Sequence, residues 1–107
     1  MEVSVNEELF DEFQNYLAGE IVACVHRGLE ELKLPRQKLE DIINTIAFNV
    51  CCAMDSSTIM EHNGERVLPV LTFAESAGFE RVVSSGSTSF MHEYIHGITE
   101  EHLNSAA

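Results

Sequence analysis

Basic residues are scarce in this chain. Six Lys and Arg stand against 18 Asp and Glu, leaving a formal charge of −12. A nucleic-acid duplex or an anionic membrane surface repels such a chain, so neither is expected as a partner. Long apolar runs are also missing. The best stretch, Ile42 to Met54, is interrupted by Asn44, Thr45 and Asn49 and falls short of a membrane span. The first residues carry Glu2, Glu7 and Glu8 where a secretory or mitochondrial leader needs Lys or Arg. Cysteine occurs only at Cys24, Cys51 and Cys52, an odd count with no Cys-x-x-Cys pair. That argues against a disulfide framework and for buried, reduced thiols, so the expected compartment is the cytoplasm.

What is present suffices for one core. A chain of 107 residues, 45% of them apolar, is too short for two conventional cores. A single α+β domain over residues 1–107 is therefore expected. The periodicity predicts a long first helix, about Glu7 to Leu32, with Asn6 as N-cap and Ser4-x-x-Glu7 as a capping box. Leu9, Phe13, Leu17, Ile21, Cys24, Gly28 and Leu32 form its apolar stripe, and His26 lies off that stripe as a solvated residue. Pro35 suits the first turn of a second helix running to about Met54, antiparallel to the first. Its second half, Ile46 to Met54, is apolar nearly all round and must be covered by the rest of the chain or by a second copy.

The period then changes. Asn63-Gly64 between Ser57–His62 and Glu65–Leu68 predicts a β-hairpin with a type I′ turn. That turn places His62 opposite Glu65, Glu61 opposite Arg66, Met60 opposite Val67 and Ile59 opposite Leu68. Residues 69–78 read equally as strand or helix, with a turn at Ala74 to Gly78. Phe79 to Val83 follows as a third strand, which would make the hairpin a three-stranded meander. The loop Ser84 to Ser89 opens onto a last helix from about Phe90, whose N-cap is Ser87 or Ser89. Met91, Tyr94, Ile95 and Ile98 share one face of that helix. Gly97 marks a break, and Thr99 caps a short final helix.

One segment carries metal chemistry in its spacing. His92-Glu93-Tyr94-Ile95-His96 fits H-E-x-x-H, with His102 six residues further on. Histidines four apart on an α-helix are offset by about 40°, so both imidazoles can reach one Zn²⁺. Glu93 would then act as general base on the bound water. The segment resembles the zincin metallopeptidases, and His102 is placed like the third histidine of the metzincins. The resemblance covers 11 residues and implies a zinc hydrolase with His92, His96 and His102 as ligands. Adding His102 requires a bend at Gly97, because an unbroken helix sets His96 and His102 roughly 120° apart. No Ser-His-Asp or Cys-His arrangement is readable from the spacing.

The leading expectation is a non-enzymatic acidic protein with no cofactor, acting by protein contact as a homodimer. The interface would include side chains of the first or second helix such as Phe48, Cys52 or Ile21, because the second helix has an apolar surplus. A small zinc-dependent hydrolase is the alternative. A third reading is an immunity or inhibitor-type protein for a basic partner, by analogy of size and charge.

Overall fold

The computed structural model describes residues 1–75 and 77–105. The chain is α+β: three helices, a three-stranded sheet and a separate two-stranded hairpin. It opens with a strand that the sequence pattern does not reveal, β1 (Glu2–Val5). Ser4 lies within that strand, so the expected capping box is not formed. Asn6 is the cap of α1 (Glu7–Leu29): its backbone is extended, and its side chain accepts from the Leu9 N–H at 3.0 Å. Glu7 and Glu8 follow, against the positive end of the helix dipole. A 3₁₀ turn, Glu30–Leu32, finishes the helix and Lys33 closes it in the left-handed conformation. Pro35 stands immediately before α2 (Arg36–Met54), as its missing N–H predicts.

The buried face of α1 is set by Phe10, Gln14, Ala18 and Val22. The expected stripe is therefore corrected by one residue, about 100° around the helix. Leu17 and Ile21 flank the true face, whereas Cys24, Gly28 and Leu32 are exposed. Small side chains explain the shift. Ala18 on α1 and Ala47 on α2 are wholly buried in the core that the two antiparallel helices share. Ile43, Cys51, Met91, Ile95 and Leu103 complete this core. Cys51 is buried as expected, while Cys52 is half-buried and Cys24 exposed.

The sheet covers the N-terminal half of α1. Its strands are β1, β4 (Phe73–Ala74) and β5 (Arg81–Ser84), with β5 in the centre, parallel to β1 and antiparallel to β4. Phe73 places its ring 5.4 Å from those of Phe10 and Phe13, and Val83 is buried. Within 69–78 the strand alternative holds at Phe73–Ala74; of the turn expected at 74–78, Ser76 lies outside the described residues.

The hairpin has the expected turn and register. Strands β2 (Glu61–His62) and β3 (Glu65–Arg66) pair Glu61 with Arg66 and His62 with Glu65, and Met60 accepts from the Val67 N–H. Asn63 and Gly64 have φ of 52° and 80°, as a type I′ turn requires. The strand after it does not extend it into a meander, because β5 pairs with β1 and β4 instead. Every residue from 57 to 68 is exposed, so the hairpin is an arm standing off the core. The radius of gyration, 15.6 Å, reflects it; a compact domain of this length has about 13 Å.

The last helix starts as a 3₁₀ turn, Met91–Tyr94, and continues as α3 (Ile95–Ser105). It runs through Gly97 without the expected break. Ile95, Thr99 and Leu103 are its buried positions, four apart, and Thr99 lies within the helix and is no cap. Among the described residues no helix is long and apolar enough to cross a membrane.

Candidate functional site

The first N–H groups of a helix have no partner within it. Here those at the start of the last helix find theirs across the fold. The Phe90 N–H donates to Gln14 Oε1 at 3.0 Å, and the His92 N–H to Asp55 Oδ2 at 2.7 Å. Gln14 is wholly buried, and its amide donates in turn to Asp11 Oδ1 at 2.9 Å. The same Asp11 oxygen accepts from the Tyr94 hydroxyl at 2.7 Å. Burial first, and then this bond, push the Tyr94 phenol up to about 12.

Asp55 is the centre of the second group. It leaves the C-terminal end of α2, and its side chain is fully buried. Oδ1 accepts from Ser89 Oγ, while Oδ2 accepts from both the backbone N–H and Nδ1 of His92, the latter at 2.8 Å. The cap expected from Ser87 or Ser89 therefore comes from Asp55, with Ser89 donating to it. Burial, followed by the Asp55 charge, raises the Cys51 thiol to about 12, and the same causes raise Cys52. Both thiols stay protonated.

His92 thus donates Nδ1–H to a carboxylate and turns Nε2 away from it. This fixes one tautomer, the same device that orients imidazoles in general bases and metal sites. A cavity of about 430 Å³ adjoins the cluster, lined by Glu7, Ser57, Ser87, Thr88, Phe90 and His92 among others. The order of the cluster is Ser–Asp–His, with the carboxylate in the middle. A nucleophilic triad needs the imidazole in the middle, so Ser89 is not activated as a nucleophile. The firm role of Asp55 and Gln14 is to cap the last helix and fix it to α1 and α2.

The four residues of the H-E-x-x-H segment and its extension go separate ways. His92 is held by Asp55, with its ring edge-on to Phe48 at 5.8 Å. His96 is exposed and stacks on Phe48 at 6.0 Å. Glu93 is exposed. His102 meets His26 instead: its Nε2 lies 2.9 Å from His26 Nδ1, with the rings perpendicular. His26 is therefore half-buried and bonded rather than solvated. The segment also changes from 3₁₀ to α between Tyr94 and Ile95, so the 40° offset of a uniform α-helix does not describe it. Among the described residues no three His, Cys, Asp or Glu group together as metal ligands.

Sequence reasoning missed Asp55 and His26. For Asp55 a signal existed: a carboxylate directly after a helix end faces the negative end of the dipole, which disfavours it without another partner. For His26 there was none, since its partner is 76 residues away. No protein-family model, curated protein or solved structure matches the chain.

Proposed function

We propose that this chain is a non-catalytic cytoplasmic binding protein that works as a homodimer. The observation that carries the reading is the arm. Ile59, Met60, Val67, Leu68 and Val70 are all exposed, Ile59 at 70%. An isolated two-stranded hairpin is at best marginally stable in water, and contiguous exposed apolar surface marks an interaction site. Among the described residues no third strand pairs with β2 or β3, which suits pairing with an equivalent strand of a second copy. The interface moves accordingly. Ile21 and Phe48 pack against the chain's own core, while the outward apolar residues of α2 are Ile46 and Val50.

A second reading, an inhibitor-type protein for a basic partner, draws on the charge of −12. Salt distinguishes the two. Screening relieves repulsion between identical acidic copies, so a homodimer tightens with salt, whereas a complex with a basic protein loosens. The test is sedimentation equilibrium from 5 to 200 µM at low and high salt. A dimer strengthened by salt and lost in Met60→Lys supports the reading; a monomer throughout that range overturns it.

A further inference from the structure

Among the described residues two histidine side chains come within bonding distance at the junction of α1 with α3, away from the H-E-x-x-H segment. His26 Nδ1 and His102 Nε2 face each other at 2.9 Å, with the rings perpendicular and their centroids 5.0 Å apart. Zinc held by two imidazoles at 2.0–2.1 Å, at a tetrahedral angle, sets its two nitrogens about 3.3 Å apart. The pair needs to open by only a few tenths of an ångström and tilt. The imidazoles are already brought together by the packing of α1 on α3, so little ordering remains to be done on binding.

The helix ends at this junction favour a cation, against the charges of Arg27, next to His26, and of Arg36, which donates to Asn104 near His102. His26 sits in the last turn of α1 and His102 in the last turn of α3. The end of a helix carries roughly half a negative charge on its free carbonyls, and here two such ends meet at the same pair of rings. Glu30 lies one turn beyond His26, and the whole chain is strongly acidic. Both rings are half-buried, which leaves access for an ion and for the waters that complete its shell.

We propose that His26 and His102 form a two-imidazole site for a divalent transition-metal ion such as Zn²⁺ or Cu²⁺, which clasps the C-terminal end of α3 to that of α1. Among the described residues no third His, Cys, Asp or Glu joins them, so water fills the remaining positions and the bound ion exchanges readily. Copper binds more tightly than zinc, following the general order for imidazole ligands. The site stands apart from the arm and does not depend on the dimer reading.

The experiment is calorimetric titration of the purified chain with Zn²⁺ and Cu²⁺, together with ring-nitrogen NMR of the unmodified protein. One equivalent binds, Cu²⁺ at least tenfold tighter than Zn²⁺, and the resonances of His26 and His102 shift first. His26→Gln and His102→Gln each weaken zinc at least tenfold, and the double variant loses little more. His92→Gln and His96→Gln leave the affinity unchanged. Absence of binding at 100 µM zinc overturns the proposal. So does loss confined to His92→Gln and His96→Gln, which assigns the metal to the H-E-x-x-H segment instead. The NMR arm reads the unmodified chain, so a variant that fails to fold does not blur the answer.

Discussion

The helical core and the hairpin arm use similar apolar residues to opposite ends. In the core Ile43, Met91 and Ile95 are wholly buried, and the polar groups Gln14 and Asp55 buried with them are matched by donors, whereas Thr99 Oγ1 and Asn44 Oδ1 are left without a partner. In the arm Ile59, Met60 and Leu68 are exposed, and only the turn and a short ladder define its shape. Local chemistry suffices to specify the arm's geometry. It does not suffice to stabilise it, because burial supplies the dominant favourable term in folding. On the proposed reading, a second copy supplies the burial that the arm lacks.

The largest expected contrast is a matched pair of truncations. Ile95→Ala removes a wholly buried side chain and should cost about 3 kcal/mol, whereas Leu68→Ala in the arm should stay within about 0.5 kcal/mol. Urea denaturation of both variants at a concentration low enough to dissociate a dimer measures the difference. Equal losses would mean that the arm belongs to the cooperative core.

Asp55 should rank next. Asp55→Ala strips the partner from the His92 N–H, the His92 ring and the Ser89 hydroxyl, all at a buried helix start. Leaving such groups unpaired should cost about 2–3 kcal/mol. Thermal unfolding followed by circular dichroism checks it, and amide exchange should show the last helix opening first. A loss below about 0.5 kcal/mol would mean that the cap is dispensable.

These positions also mark how far the sequence could be read. The span of α1, the boundary at Pro35 and the register around Asn63-Gly64 are local: each follows from caps, a missing N–H or turn residues within a few positions. The rotation of α1 was not legible, because hydrophobicity favours Leu9, Phe13, Leu17 and Ile21. The core shared with α2 and the capping of Phe90 instead bury Ala18 and Gln14. Strand β1 was invisible for a different reason. Glu2-Val3-Ser4-Val5 is too short to signal alone, and its parallel partner lies some 80 residues away. The candidate site shares that difficulty, since Asp55 meets His92 over 37 residues and His26 meets His102 over 76. The H-E-x-x-H pattern was visible, but spacing along a chain does not fix where imidazoles point once other partners compete for them.

Tyr94 extends the contrast to pH. Its phenol is raised to about 12 in the folded chain, by burial and by the bond to Asp11, against about 10 in an unfolded one. Below pH 10 both states keep the proton and the contribution is complete. Between pH 10 and 12 the unfolded chain loses its proton first, so stability falls with rising pH. The fall should be shallower in Tyr94→Phe, and absorbance titration of Tyr16→Phe should show its single phenol ionising near 12. Ionisation at the ordinary value would mean that the phenol is neither buried nor bonded to Asp11.

The smallest effect on the core should come from the position that matters most to the arm. Gly64 has φ +80°, and a side chain at that site meets no neighbour within 4 Å, so space is not the constraint. The backbone is. A β-branched residue resists the left-handed region, and Gly64→Val should cost the turn about 1–2 kcal/mol. Because residues 57–68 are all exposed and none belongs to the core, that cost should fall on the arm and not on the core. The unfolding midpoint of dilute protein should barely move, while the amide shifts of Glu61 to Arg66 collapse toward disordered values. Self-association should weaken in step, since the strand pair it uses is no longer formed. A drop in the core's midpoint by the full cost of the turn would show that arm and core unfold as one unit, and the division between them would fail.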